Sequence, residues 1–205
     1  MQTQVDRLSH LPLMSEEEFD RWCDEDTRAE FVDGKVLLMS PVSLTHNELN
    51  SFLSAFLHLY LELRPAGKLL GPEYTVRLRD GLRRVPDLLY VEPEHLERIG
   101  ETILEGAPSV AWEIISPDSE ARDWREKYHE YEQAGVREYW IINPYVKTVW
   151  LSRLNAAGSY ESVEPVDDRL VSEVIPGFWL RPQWLWSQPQ PKVLECLREL
   201  GVFPG

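Results

Sequence analysis

One long stretch of the chain carries apolar residues at helical spacing. Its apolar side chains fall three or four residues apart, which places them on one face of a helix. Pro65-Ala66-Gly67 then breaks the pattern. The sequence therefore predicts a long helix over residues 44 to 63, whose apolar positions are Leu49, Phe52, Leu53, Phe56, Leu57 and Tyr60.

Two shorter segments also predict helices. Ser15 is followed three residues later by Glu18, which is the capping-box pattern, and this predicts a helix over residues 15 to 24. A second helix is expected over residues 118 to 134, because Gly135 follows it at the position where a C-terminal glycine is common.

Strands are indicated by apolar runs and turn pairs. Asp33-Gly34 and Asp80-Gly81 suit type I′ turns and predict two hairpins, over 31–39 and over 74–79 with 85–91. The runs 110–115 and 139–142 are almost continuously apolar, as in strands buried on both faces, and 146–151 returns antiparallel to the second. This succession predicts an α/β fold with a mixed β-sheet flanked by helices, an N-terminal hairpin and a C-terminal extension.

The length of 205 residues is that of one domain with appendages. We expect an N-terminal tail over 1–14, a domain over 15–186 and a C-terminal extension over 187–205. The segment after Pro176 is rich in Trp and Pro, a composition that often covers a sheet edge or forms an oligomer contact, so a homodimer through this region is a further expectation.

The net charge and the composition limit the functions that the sequence is compatible with. The formal net charge is −14, which argues against tight non-specific binding to nucleic acid, although a local basic strip can persist in an acidic protein. No apolar window is long enough to span a membrane and the N-terminus lacks the pattern of a signal peptide, so we expect a cytoplasmic protein. Two cysteines, Cys23 and Cys196, form neither a disulfide framework nor a zinc motif.

Two carboxylates are candidates for metal chemistry. Glu113 lies within the apolar run Val-Ala-Trp-Glu-Ile-Ile, where an unpaired charge is costly unless it has a partner or a metal. Asp87 follows Pro86 at the start of another apolar run. Together they could hold Mg²⁺ or Mn²⁺, with a backbone carbonyl near Ile114 and waters as further ligands. The alternatives are a Glu113 that is half-exposed or paired with an arginine, and an Asp87 that caps a turn.

The helix after the Glu113 segment carries a candidate cation. Asp123, Lys127 and Tyr131 are spaced four residues apart and share one face, so Lys127 could reach a scissile phosphate. The alternative is an ordinary surface ion pair between Asp123 and Lys127.

These segments together resemble the Uma family of putative restriction endonucleases, within the PD-(D/E)XK superfamily. The resemblance implies a restriction-endonuclease-like fold in which Asp87 and Glu113 bind the metal and a lysine acts on the attacking water. The usual lysine position, two residues after the glutamate, holds Ile115, so this role is carried to Lys127. The matching residues are Glu30-Phe31-Val32-Asp33-Gly34, Met39-Ser40-Pro41, His46, Val85-Pro86-Asp87, Trp112 to Pro117, Asp123, Lys127, Tyr131 and Gly135 to Trp140.

The resemblance also suggests further site residues. Glu30, His46 and Asp123 could face the same cleft, although Glu30 could instead pair across its hairpin and His46 could serve the start of its helix. A basic run is the candidate contact to a phosphate backbone, or else protects an exposed strand edge. Its residues are Arg77, Arg79, Arg83 and Arg84.

The resulting functional hypothesis is an endonuclease that hydrolyses phosphodiester bonds in DNA with Mg²⁺ or Mn²⁺. Two alternatives stay open: a non-catalytic interaction protein that retains the fold, and a metal hydrolase of a small phosphorylated molecule. The first hypothesis requires Asp87 and Glu113 to converge from adjacent strands and Lys127 to point into their cleft.

Overall fold

The computed structural model describes the backbone of residues 12–24, 27–116 and 122–203, and the side chains of all of these except residues 122 and 123. Five α-helices occur in this part of the chain: α1 Glu16–Trp22, α2 Leu44–Leu63, α3 Tyr128–Ala134, α4 Gln183–Trp186 and α5 Val193–Glu199. Two other helical segments are a 3₁₀-helix, Pro93–Arg98, and a π-helix, Arg122–Lys127, which continues into α3.

The strands form two main sheets and one small one. A five-stranded sheet has the order β2-β1-β5-β4-β7, a six-stranded sheet has the order β11-β10-β9-β8-β6-β3, and β12 pairs with β13. The strands are β1 Ala29–Val32, β2 Lys35–Leu38, β3 Lys68–Leu70, β4 Thr75–Arg79, β5 Leu82–Arg84, β6 Leu88–Val91, β7 Ile103–Glu105, β8 Val110–Ile114, β9 Glu138–Asn143, β10 Thr148–Leu154, β11 Tyr160–Val163, β12 Leu170–Val171 and β13 Trp179–Leu180.

The six-stranded sheet is mixed, as the sequence predicts. β8 runs parallel to β9 and antiparallel to β6. Every residue of β8 and β9 is buried, which confirms that their apolar runs reflect burial on both faces. One face of the sheet packs on α2, whose Leu53, Phe56 and Leu57 are fully buried.

The prediction of one strand over 85–91 is wrong. β5 ends at Arg84 in the five-stranded sheet, and β6 begins at Leu88 in the six-stranded sheet. Pro86 lies between them and has no N–H to donate to a ladder, so the chain leaves one sheet before it enters the other. The three-residue strands β3 and β7 are too short to leave a periodic signal and were not predicted.

Several local predictions are confirmed. Ser15 Oγ accepts from Glu18 N at 3.2 Å while Glu18 Oε2 accepts from Ser15 N at 2.7 Å, which completes the capping box of α1. Asp33 and Gly34 have φ of 46° and 89°, as a type I′ turn requires. The expected helix over 118–134 is described from Arg122 onward, since residues 117–121 lie outside the described part.

The Trp-rich C-terminal segment packs within the chain. Phe178 and Trp184 contact Phe56 of α2, with ring centroids 5.4 and 5.7 Å apart. Trp179 and Trp184 are only 9% and 6% exposed. The aromatic surface expected to form a homodimer contact therefore covers α2 of the same chain instead.

None of the helices in the described residues combines the length and the apolar character that crossing a bilayer requires.

Candidate active site

Asp87 lies directly before strand β6, and Glu113 lies on the neighbouring strand β8. Leu88 of β6 is paired with Trp112 of β8, so Asp87, one residue before Leu88, is next to Glu113. Asp87 Oδ2 accepts a hydrogen bond from Ile114 N at 2.6 Å. The break at Pro86 thus delivers one carboxylate to the strand that carries the other.

His46 makes the second contact to Asp87. It lies in the first turn of α2, where its backbone N–H donates to Oγ of the N-cap residue Ser43 at 3.2 Å. Its Nε2 lies 2.8 Å from Asp87 Oδ1, and the residue is 5% exposed. The sequence prediction that His46 faces the site agrees with this placement. With Ile114 N on the other oxygen, both oxygens of Asp87 are held in place.

Glu113 is buried at 4% exposure and has two hydrogen-bond donors on one oxygen. Its Oε1 accepts from Lys127 Nζ at 2.8 Å and from Tyr131 OH at 3.0 Å. Burial, reinforced by the charge of Glu113, raises the pKa of Tyr131 well above its usual value, so this hydroxyl keeps the proton that it donates. A buried carboxylate thereby gains the partners that its burial requires.

Lys127 is a buried lysine at the C-terminal end of the π-helix. It is 3% exposed, and its ammonium lies 2.8 Å from Glu113 Oε1 and 3.2 Å from Glu30 Oε1. This burial rules out the alternative of an ordinary solvent-exposed ion pair for Lys127. Asp123, its proposed surface partner and a possible site residue, has a side chain outside the described part of the structure.

Glu30 connects Lys127 to a buried arginine. Glu30, on β1, is 2% exposed; its Oε2 accepts from Arg84 Nη1 at 2.8 Å, and its Oε1 accepts from Val85 N at 3.2 Å. Arg84 also donates from Nε and Nη2 to the two oxygens of Glu130, at 2.7 and 2.8 Å. Burial opposes the charge of Arg84, but Glu130 and Glu30 outweigh it and hold its pKa above the ordinary value.

The prediction that Arg84 contacts nucleic acid is therefore wrong. The Arg84 side chain has no exposed surface, and all three nitrogens donate to the carboxylates of Glu30 and Glu130. The other three arginines of the basic run are nearer the surface, and each is paired. Arg77 and Arg83 both bind Glu16, Arg83 also binds Asp20, and Arg79 forms two hydrogen bonds to Asp33.

The site cluster, defined as Glu30, His46, Arg84, Asp87, Glu113, Lys127, Glu130 and Tyr131, carries an excess of carboxylates over permanent cations. It contains four carboxylates, Glu30, Asp87, Glu113 and Glu130, and two permanent cations, Arg84 and Lys127, which pair with Glu30, Glu113 and Glu130. Such an excess favours binding of a divalent cation.

The donor chemistry of Asp87 and Glu113 fits a hard cation. Their oxygens are the ligands that Mg²⁺ and Mn²⁺ prefer, and Mg²⁺ usually keeps several waters beside one or two carboxylates. Among the described residues, no group of three or more His, Cys, Asp and Glu side chains is arranged around a common metal position. The candidate metal ligands are the carboxylates of Asp87 and Glu113, which the pairing of β6 with β8 brings side by side.

Sequence reasoning did not assign roles to Arg84, Glu130 and Tyr131 in the site. A partial signal exists for two of them, because Glu130 and Tyr131 follow Lys127 by three and four residues on one helix face. Arg84 gives no such signal. Its partner carboxylates are 54 and 46 residues away in sequence.

Comparison with known proteins adds a family and a structural neighbour. A family model described as putative restriction endonuclease, Uma2, matches residues 16–183. No curated protein matches the chain. A crystal structure described as a putative nuclease belonging to DUF820, from Anabaena variabilis, is 18% identical and superposes with a TM-score of 0.72 over 84% of this chain and 97% of that one. At this identity the likeness shows a shared fold.

Proposed function

The chain belongs to the Uma2 family of putative restriction endonucleases, and from this premise we propose that it is a metal-dependent endonuclease that hydrolyses phosphodiester bonds in DNA. Asp87 and Glu113 would hold Mg²⁺ or Mn²⁺. When bound, the ion supplies polarisation of a phosphoryl oxygen and a lower pKa for a coordinated water.

The residues of the chain have separate roles in this proposal. His46 and the Ile114 N–H hold the two oxygens of Asp87, and Tyr131 orients Glu113 through Oε1. Lys127 is the catalytic cation: its ammonium would donate to a non-bridging oxygen of the scissile phosphate, where negative charge grows in the transition state, or orient the attacking water.

One observation carries the proposal: the ammonium of Lys127 lies 2.8 Å from Glu113 Oε1 in a buried position. The lysine that the superfamily usually places two residues after the glutamate is replaced by Ile115 here. A lysine from the following helix at the same carboxylate supports the view that the chemistry is retained with the cation supplied from another element.

The choice of DNA as the substrate is a separate part of the proposal. A net charge of −14 predicts weak binding, because so acidic a protein neutralises few phosphates and therefore releases few counterions. Arg77, Arg79 and Arg83 remain the proposed phosphate contacts, and binding would require DNA to compete with their present carboxylate partners.

The test is cleavage of supercoiled plasmid by purified protein in low salt, with Mg²⁺ or Mn²⁺ and with EDTA. We expect metal-dependent nicking by the parent and loss of cleavage in Asp87→Asn, Glu113→Gln and Lys127→Met. Glu164→Gln, which changes an exposed glutamate, is the matched control and should cleave like the parent.

Other outcomes would favour the alternatives. Cleavage that persists in Glu113→Gln indicates a contaminating nuclease. A folded parent that neither binds metal nor cuts DNA at any salt concentration favours a non-catalytic interaction protein. Metal-dependent hydrolysis of small phosphate esters without DNA cleavage favours a small-molecule hydrolase.

A further inference from the structure

Arg84 is a fully buried cation that forms three hydrogen bonds to two carboxylates. Its Nε and Nη2 bind the two oxygens of Glu130 in a bidentate pair, and Nη1 binds Glu30 Oε2. Burying a guanidinium is expensive, and an apolar side chain of similar volume often stabilises a core as well. The geometry of this pair therefore calls for an explanation beyond stability.

The contacts of Glu30 show what Arg84 controls. With Oε2 held by Arg84, the carboxylate of Glu30 turns Oε1 toward both Lys127 Nζ, at 3.2 Å, and Val85 N, at 3.2 Å. One oxygen thus faces the catalytic lysine and the segment leading to Asp87. A carboxylate free to rotate would not hold that oxygen in a fixed place.

The contacts of Glu130 act on the same lysine from its helix. Glu130 lies three residues after Lys127, one turn along α3, so the bidentate pair fixes that turn relative to β5. Planar, bidentate recognition of a carboxylate is a property of arginine that lysine lacks.

We propose that Arg84 is a positioning residue for Lys127: it orients Glu30 and fixes the helix at Glu130, so that the Lys127 ammonium stays at Glu113. This inference rests on the proposed function in assigning a catalytic role to Lys127. The position of the ammonium can nevertheless be measured without any activity.

The test compares Arg84→Lys with the parent by two readouts. The first is the rate at which Lys127 is acetylated by a small amine-reactive reagent, measured by mass spectrometry in metal-free buffer. Lys127 is 3% exposed in the parent and should react slowly. In Arg84→Lys it should react at least about tenfold faster, since one ammonium cannot bind Glu130 in a bidentate pair while also holding Glu30.

The second readout is steady-state DNA cleavage. We expect kcat to fall on the order of 10²-fold with KM for DNA little changed, because a displacement of about 1 Å in a catalytic group costs that much in rate. Arg153→Lys is the matched control. Arg153 also bridges two carboxylates, Glu138 and Glu173, but outside the site cluster, so neither readout should change.

The outcomes separate the two proposals. Normal Lys127 protection in folded Arg84→Lys, with reaction of exposed Lys192 unchanged, overturns the positioning role whatever the activity. If the parent does not cleave DNA but Lys127 still reacts faster in Arg84→Lys than in the parent, the positioning role is supported and the nuclease proposal is refuted. If Arg84→Lys does not fold, Glu130→Gln decides the matter, since it breaks the bidentate pair alone and should expose Lys127 to a smaller extent.

Discussion

Replacing Lys127 with methionine tests the electrostatics of the site before any chemistry is assayed. The ammonium lies between Glu30 and Glu113, all three side chains being almost fully buried. The substitution roughly preserves side-chain length and volume and keeps the Tyr131 hydroxyl at Glu113 and both Arg84 and Val85 N at Glu30. It thus isolates the loss of one positive charge.

The expected cost follows from the burial of the pair. Removing one partner of a buried ion pair typically destabilises a protein by about 3 to 5 kcal/mol, because the remaining charge is left uncompensated. For a domain of this size, about 1 kcal/mol corresponds to roughly 2 to 4 °C in Tm, so the variant should melt about 6 to 20 °C below the parent.

Urea unfolding followed by tryptophan fluorescence measures the difference, since Trp112 and Trp140 are buried in the core. Lys192→Met is the matched control, because that lysine is exposed and should cost within about 0.5 kcal/mol. The double variant Lys127→Met with Glu113→Gln should recover part of the loss, since it removes both charges.

A loss of less than about 1 kcal/mol in Lys127→Met, with no recovery in the double variant, would refute this reasoning. It would mean that the ammonium does not compensate the two carboxylates in solution, and the cluster would have to be reconsidered.

Three further predictions concern other parts of the chain. Burial, with a smaller contribution from Glu92 and Glu94, raises the pKa of Tyr90 to about 12. The unfolded chain therefore releases this proton first, and stability is lost as pH rises from about 10 toward 12. Tyr90→Phe should lose less stability than the parent in that pH window by urea titration, and equal losses in the two proteins would contradict the shift. Arg79→Ala should weaken binding of uncleaved DNA in Ca²⁺ and reduce the slope of log K against log salt by about 0.9; an unchanged slope removes Arg79 from the DNA contacts. Ser15→Ala, which removes the cap of α1, should cost about 1 kcal/mol in thermal unfolding, and no change would show that the cap is dispensable.

The sequence predicts correctly those helices and turns whose ends are set by residues close to them in the chain. The helix α2 begins and ends where the apolar spacing and Pro65 place it, and the capping box of α1 and the Asp33-Gly34 turn are formed as expected. The mixed, fully buried strands β8 and β9 were likewise recognisable, because burial on both faces leaves a continuous apolar run.

Long-range pairing was not predictable in the same way. A single strand over 85–91 is a reasonable interpretation of its apolar run, yet the two halves belong to different sheets. The position of Lys127 at Glu113 was expected from the family resemblance, and the structure places it there. The role of Arg84 depends on two carboxylates that only the tertiary fold brings together, so its sequence context suggested a surface contact instead.

The central claim, a divalent cation held by Asp87 and Glu113, is tested most directly by crystals grown with Mn²⁺ and measured at the manganese absorption edge. We predict one anomalous peak within ligand distance, about 2.0 to 2.4 Å, of an oxygen from each carboxylate, and its loss in Glu113→Gln. A parent crystal with saturating Mn²⁺ and no peak at these two carboxylates would contradict the account.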